Sequence, residues 1–297
     1  MEFRTIVDIP KADFQIAPCE KMLFVGSCFA DNMGRRFTEE KFNTTVNPFG
    51  VMYNPASVLH TVERLCKKGE GAFQTVIITL GTNRVYIDKE TQEIVDNCQK
   101  RPQACFEEKS LSVDECAAYL EQAIRLLQQA NPDVKVILTV SPIRYAKYGY
   151  HGSQLSKATL LLAIDKLLNV QSGLIASPLG GRLEGASYFP AYEMLNDELR
   201  DYRFYAADML HPSDQAVAYI YGRFAETYFS KETFQFLKEW KPIKEVLNHK
   251  PFHPESAEYQ KLMDKTMLKI AELSEKYANF AFNYQTEVPA ASGNKNK

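Results

Sequence analysis

Apolar and polar positions follow two periods along this chain. Short, nearly continuous apolar runs occur at Met22-Leu23-Phe24-Val25, in "QTVIITLG" (74–81) and in "VKVILTVSP" (134–142), and "TTVNPFG" (44–50) is a shorter one that runs into a Pro-Gly turn. β-Branched residues bounded by Gly or Pro mark these runs as strands, buried on both faces where the run is unbroken. Between them apolar residues recur at helical spacing. Helices are predicted over 29–41, 55–67 (Val58, Leu59, Val62, Leu65 inward), 112–130 (Cys116, Leu120, Ile124, Leu127), 155–168 and 214–229 (Val217, Ile220, Tyr221, Phe224). The stretch from 168 to about 207 is less regular.

Strands alternating with helices of this length predict a parallel sheet with crossover helices. The handedness of such crossovers favours an α/β, three-layer α/β/α architecture of about five strands. Ligands bind such sheets outside the carboxyl ends of the strands, and Gly26, Gly81 and Pro142 mark that rim. Residues 1–230 are expected to form this domain. Residues 231–285 are interrupted and charge-rich, with one more helix over 256–278, and read as a C-terminal helical extension. Residues 286–297 read as a disordered tail.

Composition narrows the classes of partner. The 35 basic and 37 acidic residues nearly cancel, so no field draws the chain towards nucleic acid or anionic membrane. No apolar run approaches the ~20 residues that span a bilayer. The start, Met-Glu-Phe-Arg-Thr-Ile-Val-Asp, lacks an apolar secretory core. A cytoplasmic protein with reduced cysteines is expected, and no Cys-x-x-Cys or Cys/His pair has structural zinc spacing. Neither a metal nor an organic cofactor is expected.

Candidate chemistry collects at two places. "VGSCFADNMG" turns the first strand into a helix through Gly26 and offers a hydroxyl, Ser27, and a thiol, Cys28. It carries neither phosphate-loop pattern, Gly-x-Gly-x-x-Gly or Gly-x-x-x-x-Gly-Lys-Ser/Thr, so the choice lies between a packing corner and a nucleophile. A nucleophile needs a base. Four of the five histidines (His60, His151, His249, His253) read as surface or packing residues. His211 stands three residues after Asp208 in "AADMLHPSDQ", just before a helix that Ser213 can cap. Asp-x-x-His lets one short segment hold a base and the carboxylate that fixes its tautomer.

A nucleophile after the first strand and an Asp-x-x-His before the last helix of the α/β domain resemble the SGNH/GDSL hydrolase superfamily. More closely, "GSCFA" (26–30), "KFNTTVNPFGVMYNP" (41–55), "ITLGTNRVY" (78–86), "TVSPIRY" (139–145) and "DELRDYRFYAADMLHPS" (197–213) resemble the GSCFA-domain family, over roughly residues 20 to 230. The resemblance implies a flavodoxin-like fold with hydrolase machinery. Laid without gaps on Gly-Asp-Ser-Leu, Cys28 takes the nucleophile's place, whereas a slip of one gives it to Ser27 and puts Val25 where the glycine belongs. The strand's end needs that glycine, which favours Cys28, and a thiol at a helix N-terminus beside an imidazole is a competent nucleophile. The superfamily pattern further implies oxyanion donors at Gly50 and Asn83, with Asn47 and Asn54 as alternatives to Gly50.

Arg144, after the fourth strand at the same rim, is a candidate for binding an anionic or polyhydroxylated substrate. Arg84 and Tyr86, Tyr145, Tyr148 and Tyr150 read rather as salt-bridge and packing residues. The expected function is hydrolysis of an ester or thioester through a Cys/Ser-His-Asp acyl-enzyme, acting on a carbohydrate or other small acylated molecule. The alternatives are acyl transfer to a sugar hydroxyl and a catalytically silent binding domain.

Overall fold

The structure, a computed structural model, describes residues 4–96, 98, 100–169, 183–249 and 251–282. The proposed tail at 286–297 lies outside them. Five strands form one sheet: β1 (Lys21–Gly26), β2 (Asn43–Val46), β3 (Thr75–Leu80), β7 (Lys135–Val140) and β8 (Ala186–Tyr188), in the order β2-β1-β3-β7-β8. Every pairing in it is parallel. The helices α1 (Cys28–Glu39), α2 (Pro55–Lys67), α3 (Val113–Ala130), α4 (Gly149–Asn169) and α6 (Asp214–Tyr228) make the outer layers.

The strands' continuous apolar runs divide by the period of two. Leu23 and Val25 of β1, with Val76, Ile78 and Leu80 of β3, pack against α2, α3 and α4. Met22, Phe24 and Ile77 point the other way, into an aromatic core with Phe29, Met33 and Phe37 of α1 and Val217, Ile220 and Phe224 of α6. The fold is therefore the expected three-layer α/β/α sandwich.

Three elements differ from the expectation. The fifth strand, β8, lies inside the segment read as irregular, and its three residues are too few to show a period. β4 (Arg84–Asp88), β5 (Ile94–Val95) and β6 (Phe106–Ser110) form a second, antiparallel sheet in the order β5-β4-β6. It is short and mostly polar, so no apolar run announces it. After β8 comes the single turn α5 (Ala191–Glu193), and beyond α6 the chain continues in α7 (Lys231–Asn248) and α8 (Ala257–Lys276).

α7 covers a stretch read as interrupted and runs through Pro242. A proline there removes a hydrogen bond and crowds the preceding turn. The helix holds because Phe236, Trp240, Ile243 and Leu247 repeat along one buried face, packed on Ile270 and Leu273 of α8. The Trp240 indole N–H also donates to the Glu39 carbonyl at 3.0 Å, tying α7 to the end of α1. Among the described residues no helix is long and apolar enough to cross a membrane.

Candidate active site

β1 ends against β3 so tightly that its last residue must be glycine. Gly26 has φ +138°, and a Cβ there would lie 2.1 Å from the Thr79 carbonyl oxygen. Only glycine tolerates both the conformation and the approach. The chain then turns directly into α1, and the two nucleophile candidates part company.

Ser27 is the helix N-cap. Its hydroxyl accepts from the Phe29 N–H at 3.2 Å and shares a hydrogen bond with the Thr79 hydroxyl at 3.0 Å. Its own N–H reaches the Thr79 carbonyl at 2.9 Å, and the residue is 1% exposed. Every feature of Ser27 is that of a capping residue. Thr79→Val keeps the shape but removes the partner of this buried hydroxyl. It is expected to lower stability by about 1–2 kcal/mol, read as a fall in the urea midpoint.

Cys28 is the first residue of α1 and half-buried. By position its N–H has no intrahelical acceptor, and the positive end of the helix dipole lies at the thiol. Its Sγ lies 3.4 Å from the Tyr53 hydroxyl. Sequence reasoning gave Tyr53 no role. It stands in the "VMYNP" stretch, but nothing in its spacing points back to residue 28. The β2–α2 connection brings the two together, with the Met52 N–H donating to the Gly26 carbonyl at 2.8 Å. The backbone carbonyl of Tyr53 accepts from both the Gly81 and Thr82 N–H groups, at 2.8 and 2.9 Å, so this residue also fixes the loop after β3.

The loop before α6 assembles the second half of the site. Asp208 folds the chain back on itself. One carboxylate oxygen accepts from the Leu210 and His211 N–H groups at 2.9 and 3.0 Å, and the other lies 2.6 Å from His211 Nδ1. Met209, between them, takes the left-handed conformation with φ +58°, an uncommon geometry for a side chain of its size. The backbone N–H groups of His211 and Leu210, then the imidazole, hold the Asp208 carboxyl down at about 2. It therefore stays an acceptor across the physiological range, places the proton on Nδ1, and leaves Nε2 to accept.

Arg144 also holds the turn that carries His211. Its backbone N–H donates to the Leu210 carbonyl at 2.9 Å and its guanidinium to the Met209 carbonyl at 3.1 Å. The guanidinium also lies over the rings of Tyr150 and Tyr205, at 4.2 and 5.3 Å from their centroids. Arg144 thus clamps the Asp208–His211 turn onto the rim beyond β7. Its neighbour Tyr145 packs against Tyr53 with ring centroids 5.8 Å apart. Cys28, Tyr53, Tyr145, Arg144 and the His211 turn thereby form a run of contacts along one rim. Among the described residues no hydrogen bond joins Cys28 to His211 directly.

Each implied oxyanion donor already makes hydrogen bonds within the fold. The Gly50 N–H already donates to the Asn47 carbonyl at 2.8 Å within a turn, which corrects the expectation that it faces a substrate oxygen. Asn47 accepts from Gly26 N–H and donates one amide hydrogen to Asp31, and the Asn54 amide oxygen caps α2 by accepting from Ser57 N–H. Asn83 stands at the rim, 6% exposed, with one amide hydrogen on the Leu111 carbonyl at 2.7 Å. Its second amide hydrogen remains for a ligand. Arg84 pairs with Glu108 at 2.7 Å and lies over the Tyr148 ring at 4.0 Å, so it carries a salt bridge and a stacked contact.

No curated protein matches the chain. Among solved structures it is similar to a carbohydrate esterase family 3 protein from Talaromyces cellulolyticus, at 12% identity and a TM-score of 0.42, covering 74% of this chain and 99% of the other. It is likewise similar to a variant of an acetyl xylan esterase from Geobacillus stearothermophilus, at 14% identity and a TM-score of 0.39, covering 73% and 99%. Likeness at this level identifies neither substrate nor reaction. The sequence model of the GSCFA family matches residues 21–74 and 70–224, and that of the GSCFA domain protein C-terminal domain matches 240–287. The first alone spans more than half of the chain, which therefore belongs to the GSCFA family.

Proposed function

We propose that the protein hydrolyses an ester or thioester through an acyl-enzyme on Cys28. The observation that carries this reading is the Asp208–His211 pair, held at 2.6 Å on the rim where Cys28 opens α1. His211 Nε2 takes the thiol proton as Sγ bonds to the carbonyl carbon. The leaving alcohol or thiol departs with that proton as the carbon–oxygen or carbon–sulfur bond breaks. Water then attacks the thioester, gives a proton to His211, and releases the acid as the bond to Cys28 Sγ breaks and the thiol regains the proton. Asp208 orients the imidazole and stabilises the imidazolium. Negative charge on the carbonyl oxygen is met by the Cys28 N–H and the remaining Asn83 amide hydrogen. Tyr53 and Tyr145 stand beside Cys28 at the rim, and an acylated carbohydrate is the first substrate class to try.

The pair supplies a test. Asp208→Asn keeps the shape of the turn but removes the charge that stabilises the imidazolium. Turnover of p-nitrophenyl acetate is expected to fall about 100-fold, with the circular dichroism spectrum unchanged. Because the wild-type carboxyl titrates near 2, far below the ordinary carboxylate range, its stabilising hold on His211 is present at neutral pH and is lost only as pH falls through about 2. The acid limb of the wild-type pH–rate profile should therefore not follow Asp208. Unchanged turnover in Asp208→Asn would remove the pair from the reaction.

A further inference from the structure

Tyr53 holds a hydrogen-bond donor at the reacting centre with no good acceptor of its own. The hydroxyl has one hydrogen-bond partner among the described residues, Cys28 Sγ at 3.4 Å, and sulfur is a weak acceptor. The ring is half-buried and rigidly placed. It lies where any side chain at Gly81 would be, with its Cδ1 2.9 Å from the position of a Cβ there, and it packs on Tyr145. The backbone carbonyl is fixed by two N–H groups of the loop after β3. A donor held in place against a poor acceptor gains little in the resting state. It gains when a better acceptor forms beside it, and an interaction stronger in the transition state than in the ground state is one that accelerates a reaction.

We infer that the Tyr53 phenol is a catalytic residue, the oxyanion donor that the Gly50 loop supplies in place of the Gly50 amide. The inference rests on Cys28 being the nucleophile. When Sγ bonds to the carbonyl carbon, the π electrons move to the carbonyl oxygen. That oxygen is then two bonds from the sulfur, so a phenol already 3.4 Å from Sγ reaches it with little movement. The phenol donates a hydrogen bond and keeps its proton, while the thiol proton goes to His211. Burial, with the hydrogen bond and charge of Cys28, pushes the Tyr53 hydroxyl above the ordinary phenol range, so it serves as a donor and not as a base.

The test separates charge on oxygen from charge on sulfur. In Tyr53→Phe the ring, the Gly81 packing and the backbone bonds are retained. The single-turnover rate of acylation by p-nitrophenyl acetate should fall about 10–100-fold. Alkylation of Cys28 by iodoacetamide, which forms no oxyanion, should stay within about twofold of wild type, because sulfur gains little from the phenol. Unchanged acylation would overturn the assignment. So would a parallel loss of alkylation, which would place the phenol's effect on the sulfur or on the fold. Failure of the underlying reading gives a separate signature, since Cys28→Ala would then retain full turnover whatever Tyr53 does.

Discussion

Cys28→Ala is expected to reduce acyl-ester turnover at least ~1,000-fold, with native stability nearly unchanged. Ser27→Ala is expected to do the reverse. The two side chains are adjacent, yet the start of α1 gives them different surroundings. The Ser27 hydroxyl is sealed from solvent and bound to Phe29 N–H and the Thr79 hydroxyl. To act as a nucleophile it would have to leave the cap and open the β1–β3 junction. Its removal leaves the α1 N-terminus and Thr79 short of a partner, a loss of about 1–2 kcal/mol of stability with turnover within a fewfold of wild type. The Cys28 thiol is half-buried, at the edge of the core under α1, and hydrogen-bonds only to the Tyr53 hydroxyl among the described residues. Its loss therefore disturbs less than that of Ser27 and removes the atom that bonds to the substrate. Steady-state kinetics and urea unfolding on the two variants read both halves. Loss of turnover in Ser27→Ala alone would reassign the nucleophile.

Lys157→Met is expected to stabilise the protein, by an amount that depends on pH. Lys157 lies in α4 and is 2% exposed. Its ammonium donates to the Ser141 carbonyl at 2.8 Å and sits 5.7 Å from the Tyr192 ring centroid. Among the described residues no carboxylate is bonded to it. Burial pushes it down to about 7 from the ordinary 10.5. Below pH 7 both the folded and unfolded chains carry the proton, and the folded state bears the whole cost of the buried charge. Between pH 7 and 10.5 the unfolded chain binds more protons, so stability rises with pH. Above that range the cost is gone. Methionine, of similar length and uncharged, should therefore gain roughly 3–5 kcal/mol at pH 6, and the gain should shrink as pH rises through 8 and 9. Urea melts of both proteins at pH 6, 7.5 and 9 measure it. A difference that does not change with pH would mean that the ammonium is fully solvated or paired.

The sequence made some parts of this arrangement readable because their causes are local. Gly26 ends an apolar run at a turn that needs a glycine, and Asp208 and His211 are three residues apart within one turn. What it hid depends on contacts between distant segments. β8 is three residues long and is a strand only because β7 offers it an edge. α7 runs through Pro242 because its aromatic face is already buried against α8. Gly50 was placed at the oxyanion by its position after the second strand, but the turn it closes consumes its N–H. Tyr53, three residues on, meets Cys28 through the fold alone. Arg144 was readable as a cation at the rim, but its bonds to the carbonyls of the turn that carries His211 join residues 65 and 66 apart, which no spacing shows.

The central claim is that an acyl group passes through the sulfur of Cys28 with the help of His211. Acid-quenched wild-type protein, taken seconds after mixing with p-nitrophenyl acetate, should carry one acetyl group, and peptide mapping by mass spectrometry should place it on Cys28. The His211→Ala variant should be acylated far more slowly. An acetyl group on Ser27 or on a surface lysine, or labelling of Cys28 at the same rate without the imidazole, would contradict it.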